Sequence, residues 1–398
     1  MKHLREIAAV FLKLGLIGFG GPAAHIAMME DEVVTRRKWM TREHFLDLLG
    51  ATNLIPGPNS TEMAIHAGYH RAGVAGMLVA GWCFILPAVI STGLLAWIYV
   101  EYGAVPAIEP LFKGIKPAVV AIIFAALLKL GKKAIKGRRT LVIGVATGVL
   151  LFGGVSEVVA ILVGGLAGGA WLRLGGGNNS SGDGVKDGSG KGSAPDDKSV
   201  KKSGFALLMT PTVQATAAAG TAAVSLTQLG WSFLKIGAVL FGSGYVLIAF
   251  LEGEFVDSLG WLTQQQLLDA VAMGQFTPGP VLSTATFVGY IMAGLPGALV
   301  ATLAIFLPSF IFVAALNPLI PRMRQSRLFS HILDALNAAA LGLMAAVTLQ
   351  LTYAVVQEWT GVVICVLAIA LVIRYPKINA AWIVVGGAAA GWLLHLFV

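Results

Sequence analysis

FLKLGLIGFGGP (Phe11–Pro22) returns as FLKIGAVLFGSG (Phe233–Gly244). Outward from there the register holds without a gap. Glu30 matches Glu252, Glu32 matches Glu254, Trp39 matches Trp261, Thr41 matches Thr263 and Asp47 matches Asp269. It reaches Pro56-Gly57-Pro58, which matches Pro278-Gly279-Pro280. After one deletion Gly68-Tyr69 matches Gly289-Tyr290, Gly73 matches Gly294 and Pro87 matches Pro308. The chain is therefore a duplication. Duplicated halves within an apolar chain are a mark of secondary transporters.

Composition sets the solvent. The 398 residues are 57% hydrophobic and 12% charged, with a mean hydropathy of +0.80. A soluble domain carries about 25% charged residues. Runs such as 74–99, 118–130 and 338–356 are continuous and apolar. They fit spans of roughly 17–25 residues and lack the alternation of a β-barrel. The expectation is an all-α polytopic membrane protein whose partner is the lipid bilayer. Its first residues could pass for a signal peptide, but Lys13 interrupts the apolar stretch and the segment recurs at Phe233. Cys83 and Cys365 lie in apolar runs, which speaks for packing and against a disulfide framework or a metal site. The net charge of +8 fits basic cytoplasmic loops, with no nucleic acid implied.

Gly175–Gly204 is rich in Gly, Ser and charge and reads as a flexible polar linker. It divides an N-terminal module, 1–173, from a C-terminal module, 205–398, with 174–204 between them on the cytoplasmic side. Loop charges relate the modules. Arg36, Arg37, Lys38 and Arg42 face a stretch, Ser258 to Gln264, without a basic residue. Glu101 and Glu109 correspond to Arg322, Arg324 and Arg327. Lys132, Lys133, Lys136, Arg138 and Arg139 correspond to Glu358, and Glu157 corresponds to Arg374 and Lys377. Basic residues swap sides at each loop, so the halves lie in inverted topology. With the Arg36 loop inside, the Glu101 loop outside, the Lys132 loop inside, the Glu157 turn outside and the linker inside, each half makes an odd number of crossings, about five. Each Pro-Gly-Pro is then a broken, re-entrant element, and both termini lie outside. Lys2 and Arg5 argue against that placement of the N-terminus.

The breaks are where chemistry is expected. Pro56, Pro58, Pro278 and Pro280 cannot continue a helix, and in hydrocarbon the freed backbone needs protein or a water-lined cavity. A helix restarting at Asn59, Ser60 and Thr61, or near Ser283 and Thr284, would aim its N-terminus at the midplane, where a small anion fits. Asn53, Gly57, Gln275, Thr277 and Gly279 complete the substrate-binding expectation around these motifs. A pair of proline kinks that only shape packing is the alternative. GFGGP, with Gly20, Gly21 and Pro22, and FGSG, with Gly242 and Ser243, permit either close helix contact or unwinding at a ligand. Lys13 and Lys235 share a register in apolar helices. They either snorkel to the interface or supply positive charge to a dianion. Glu62, Glu30, Glu252 and His25 are the proton-coupling candidates. For Glu30 and its relatives a helix-start charge or an arginine partner is the simpler role, and His25 and His66 read more simply as packed histidines. Neither a P-loop nor a nucleophile–His–acid pattern or metal cluster stands out, so no cofactor and no enzymatic activity are expected. Coupling would come from an ion gradient or from exchange.

GFGGPAAHIAMMEDEVVTRRKWM followed by NLIPGPNSTEMAIHAGYHRAG resembles the chromate ion transporter family, two-module long-chain type. FGSGYVLIAFLEGEF and QFTPGPVLSTATFVGY are similar to its C-terminal repeat. The resemblance implies a carrier of the bacterial inner membrane that expels chromate, driven by membrane potential or proton gradient, and confers chromate resistance. Sulfate, of similar shape, would compete. A homodimer is compatible with this reading, as are a sulfate or other oxyanion exchanger and an anion channel. The family's characteristic residues would include Gly20, Gly21, Pro22, His25, Arg36, Arg37, Pro56, Gly57, Pro58, Asn59, Ser60 and Thr61, with Pro278, Gly279 and Pro280 in the second half. The long polar linker departs from the pattern.

Overall fold

The computed structural model describes residues 2–19, 21–53, 55–102, 109–174, 224–316, 326–375 and 378–395. Every regular element among them is helical. Half one comprises α1 (Lys2–Ile17), α2 (Pro22–Glu30), α3 (Arg42–Thr52), α4 (Asn59–Tyr102), α5 (Glu109–Ala134), α6 (Arg138–Phe152) and α7 (Glu157–Leu174). Half two comprises α8 (Leu226–Val239), α9 (Leu247–Leu251), α10 (Gln264–Phe276), α11 (Thr284–Leu316), α12 (Arg327–Val355), α13 (Trp359–Arg374) and α14 (Ala380–His395). The helices α4, α5, α7, α11 and α12 are long and apolar enough to cross a membrane; α13 and α14 are shorter apolar helices. Leu78, Leu86, Ile90 and Leu94 project outward from α4 at helical spacing. In lipid that exposure is not a defect, because tails are as apolar as leucine. The chain is a multi-pass membrane protein.

Each half opens with two hairpins whose tips are the sequence breaks. The first joins α1 to α2, and α2 runs on through wider π turns at Asp31–Arg36. Lys13 pairs with Glu32, and Glu6 with Arg37 at 3.1 Å, so the two arms are antiparallel. The second joins α3 to the first limb of α4. Thr41 caps α3 by accepting from the His44 amide, and the His44 and His70 rings lie 4.6 Å apart. At Ala72 and Gly73 the backbone leaves the helix (Gly73 φ 60°) and reverses. Ala293 and Gly294 repeat the same angles in α11. A residue with a Cβ resists that positive φ. Just beyond each turn the limbs touch: a Cβ on Gly68 would strike the Gly76 carbonyl, and one on Gly289 the Gly297 carbonyl. Without a hydrophobic drive between helices in lipid, such close backbone packing is what holds them.

The inversion is explicit where the halves meet. Trp82 stacks on Phe310 at 5.6 Å, and the Thr92 hydroxyl donates to Ser283 at 3.2 Å. The matched helices α4 and α11 therefore run antiparallel. Gly144 and Gly148 of α6 pack on Ala338 and Gly342 of α12, and Lys136 bonds Asp334 at 2.7 Å. These contacts put Arg36, Arg37, Lys133, Lys136, Arg173 and Arg374 on one membrane face. Glu101, Glu109, Glu157, Glu252 and Glu358 lie on the other. By the charge rule the first face is cytoplasmic.

Two topological expectations need correcting. The α1–α2 hairpin returns to the face it left, so the N-terminus sits on the basic face, where Arg5 agrees with the charge rule. In half one the face is changed by the second limb of α4 and by α5, α6 and α7, an even number of crossings. Leu174 and Leu226 accordingly lie on opposite faces. The expected linker, Arg322, Arg324 and Lys377 fall outside the described residues.

Candidate functional site

The four breaks converge, and they are tied across the halves. The Gly57 amide donates to the Leu240 carbonyl at 2.7 Å, and the Gly279 amide donates to the Gly18 carbonyl at 2.7 Å. These are the same bond under the repeat's register. Each Pro-Gly-Pro of one half thus rests on the glycine-rich break of the other. Gly21, at φ 82°, approaches the Tyr245 hydroxyl at the same junction. In hydrocarbon the broken backbone is satisfied by the opposite half, as it must be.

Past Pro58 the helix restarts as expected. The Thr61 and Glu62 amides both donate to the Pro58 carbonyl. Ser60 and Thr61 are buried. Asn59 turns back, its Nδ2 donating to Asn53 Oδ1 at 2.7 Å. In half two Val281–Ser283 forms a 3₁₀ turn before α11. Ser283 lies 3.5 Å from the Thr277 hydroxyl, and the Thr284 hydroxyl donates to the Val281 carbonyl. Several buried polar atoms around the breaks lack a partner among the described residues. They are Thr61 Oγ1, both Glu62 oxygens, both His66 ring nitrogens, Gln275 Nε2 and Ser309 Oγ. Native interiors satisfy nearly all such groups, so their clustering marks a place built for polar company.

A cavity of about 120 Å³ opens from the junction. Asn53 and Lys133 come from half one, Gly242 and Asn337 from half two, with Leu130 and Leu341 as apolar wall. It runs from the breaks toward Lys133, an exposed side chain at the basic face. Gly242, at φ 94°, brings its backbone close to Asn337 Oδ1. Two amide side chains and a cation around backbone breaks suit a small anion that needs several donors. Asn53 and Gly242 were legible in the motifs. Lys133 read only as a loop charge. Asn337 was missed, although an asparagine inside the apolar run of α12 is itself a signal.

The other expected residues sit elsewhere. Lys13 and Lys235 are committed to ion pairs with Glu32 and Glu254, each pair 19 residues apart. They do not line the cavity. Ser232 adds a second donor to Glu254. Glu30 pairs with Arg42 at 3.0 Å. Its repeat mate Glu252 is buried and accepts from Gln264, the residue matching Arg42, at 2.9 Å. His25 Nε2 lies 2.9 Å from the Gly18 carbonyl. Ser243 accepts weakly from the Tyr245 amide, and Pro22 begins α2. Gly20 lies outside the described residues. At the basic face Glu6 binds Arg37, Arg71 and Trp39. Burial alone would raise its carboxyl, but the bonds from Trp39, Arg71 and Arg37 hold it below the usual carboxylate value.

Related sequences agree with the duplication. The chromate transporter family model matches residues 5–169 and again 227–392. A chromate transport protein of Cupriavidus metallidurans is 31% identical over 98% of this chain and 93% of its own length. One of Pseudomonas aeruginosa is 29% identical over 98% of this chain and 92% of its own. An uncharacterised transporter of Bacillus subtilis, YwrB, is 31% identical over 37% of this chain and 73% of its own length. No solved structure matches. On the double match and the near full-length likeness, the chain belongs to the chromate transporter family.

Proposed function

We propose that this protein is a secondary carrier that exports chromate, a tetrahedral oxyanion, across the bacterial inner membrane and so confers chromate resistance. One observation carries the reading. The cavity is assembled from one break of each half, Asn53 from the first and Gly242 from the second, with Lys133 and Asn337 beside them. A site split between inverted halves can change the side it faces when one half rocks against the other. The cavity leads to the cytoplasmic face, the side from which an exporter loads. The substrate is taken from the Cupriavidus and Pseudomonas relatives, both chromate transport proteins.

Sulfate offers the same charge and shape to the same donors, so it is the competitor to test. Proteoliposomes holding the purified full chain should take up labelled chromate saturably. They should also show counterflow when preloaded with unlabelled chromate. Flux without saturation or counterflow would mean a channel. Stronger competition by sulfate than by chromate itself would make sulfate the physiological anion.

A further inference from the structure

Glu62, His66 and His70 stand four residues apart on the first limb of α4. That spacing places them on one face of the helix, about 6 Å apart along its axis at each step. Glu62 is fully buried beside the break, and among the described residues neither of its carboxyl oxygens has a partner. A Cβ on Gly57 would contact both Glu62 Oε1 and Ser309 Oγ, so the carboxyl lies directly against the broken backbone. His66 is also buried, with both ring nitrogens unpartnered among the described residues. His70 is exposed at the basic face beside His44. A series of titratable groups thus leads from the junction of the halves to the cytoplasmic surface.

Among the described residues, no ion pair or hydrogen bond reaches the inner two groups. From α1 comes Glu6, bonded to Arg71. From α2 comes His25, turned to the Gly18 carbonyl. From α3 come Arg42, paired with Glu30, His44, against His70, and the carboxylates of Glu43 and Asp47, both exposed. From α10 comes Asp269, which accepts from Tyr99. From α11 comes the Ser309 hydroxyl. An ionised carboxylate left alone in such a place is strongly disfavoured. The feature is also one-sided. The matching stretch of half two holds Thr284, Phe287 and Ile291, and the mate of Ser309 is Ala88, which packs against Gly279.

We propose that Glu62 is the carrier's proton-binding site and that His66 and His70 connect it to the cytoplasm. The proposal rests on the carrier reading above and extends it. Glu62 holds a proton while the junction is sealed, because an anion in the adjacent cavity and a carboxylate would repel each other. The proton leaves and returns through His66 and His70, bridged by water or by small movements of the limb. Each transport cycle then moves a proton as well as an oxyanion.

Two measurements test this on the full-length protein. Infrared difference spectroscopy at neutral pH should show the C=O stretch of a protonated carboxylic acid that disappears in Glu62→Gln. Its persistence in that variant overturns the proposal whether or not the protein carries chromate. In proteoliposomes with an entrapped pH dye, chromate flux should be accompanied by proton movement. Glu62→Gln should keep chromate counterflow and lose the proton signal. His66→Gln should retain the infrared band and slow proton movement. An unchanged ratio of proton to chromate flux in Glu62→Gln overturns the proposal. Absence of chromate flux in the wild type would defeat the carrier reading instead, leaving the infrared band to decide the proton site.

Discussion

The amide of Gly57 and the carbonyl of Leu240 form a 2.7 Å hydrogen bond between halves that run in opposite directions through the membrane. Its mate joins Gly279 to Gly18. Any movement that carries substrate must either preserve these bonds and pivot on them or break them in turn. Under the carrier reading proposed above, they would be the fulcrum of that movement.

Gly57→Ala should abolish transport and destabilise the protein by about 1–3 kcal/mol. The residue sits at φ 141°, and an added methyl would meet Glu62 and Ser309. Gly73→Ala is the comparison. Its φ of 60° is strained as well, but nothing lies within 4 Å of the new Cβ. It should cost about 1 kcal/mol and leave transport in place. Thermal unfolding in detergent, beside flux, separates the two; equal losses would mean that the space above Gly57 is unimportant.

Lys133→Gln should raise the half-saturating chromate concentration roughly tenfold, since hydrogen bonds to charged groups are worth about 1.5–3 kcal/mol. Asn337→Ala and Asn53→Ala should each raise it by a smaller factor. Asn59→Ala should act through Asn53, whose side chain it holds. Membrane abundance should stay near wild type. If all four variants kept normal half-saturation, the anion would have to bind elsewhere.

Lys13→Met should destabilise the protein by about 1 kcal/mol, because it strands Glu32, whose side chain is only 7% exposed. Glu32→Gln should recover part of the loss in the double variant. The neighbouring arginines, Arg36 and Arg37, also touch Glu32 and will blunt the effect. Lys235→Met should cost more than Lys13→Met, for Glu254 has no arginine beside it in the ion pairs of the described residues. A double-mutant cycle on each pair measures the difference.

A chain with Cys83 and Cys365 replaced by alanine can be labelled at single introduced cysteines. Arg5→Cys should react with an impermeant reagent only from the cytoplasmic side, and Ser225→Cys only from the opposite side. Labelling of both from one side would contradict the hairpin of α1 with α2 and the opposed faces of Leu174 and Leu226.

Much of the architecture was legible because it was written as pattern. The repeat, the swap of basic residues between loops and the paired prolines all depend on residue type and order alone. The hairpin of α1 and α2 was not legible. A helix that dips into the bilayer and one that crosses it carry similar apolar stretches, and pairings across the hairpin, above all that of Lys13 with Glu32, tell them apart. That pairing was hidden in plain view, since both members recur at Lys235 and Glu254. The cavity was half legible. Asn53 and Gly242 lie in the motifs, whereas Lys133 and Asn337 come from helices remote in sequence and reach the site only through packing.

The reciprocal amide bonds also bear on how such a protein is made. A first half released alone into the bilayer would present the Gly57 amide to hydrocarbon, at a cost of several kcal/mol. It is an unfinished object until its inverted twin arrives. Synthesis on one chain guarantees that meeting. Were the gene cut in two, both fragments would have to be produced together and inserted in opposite orientations in the membrane, and neither should survive quality control by itself.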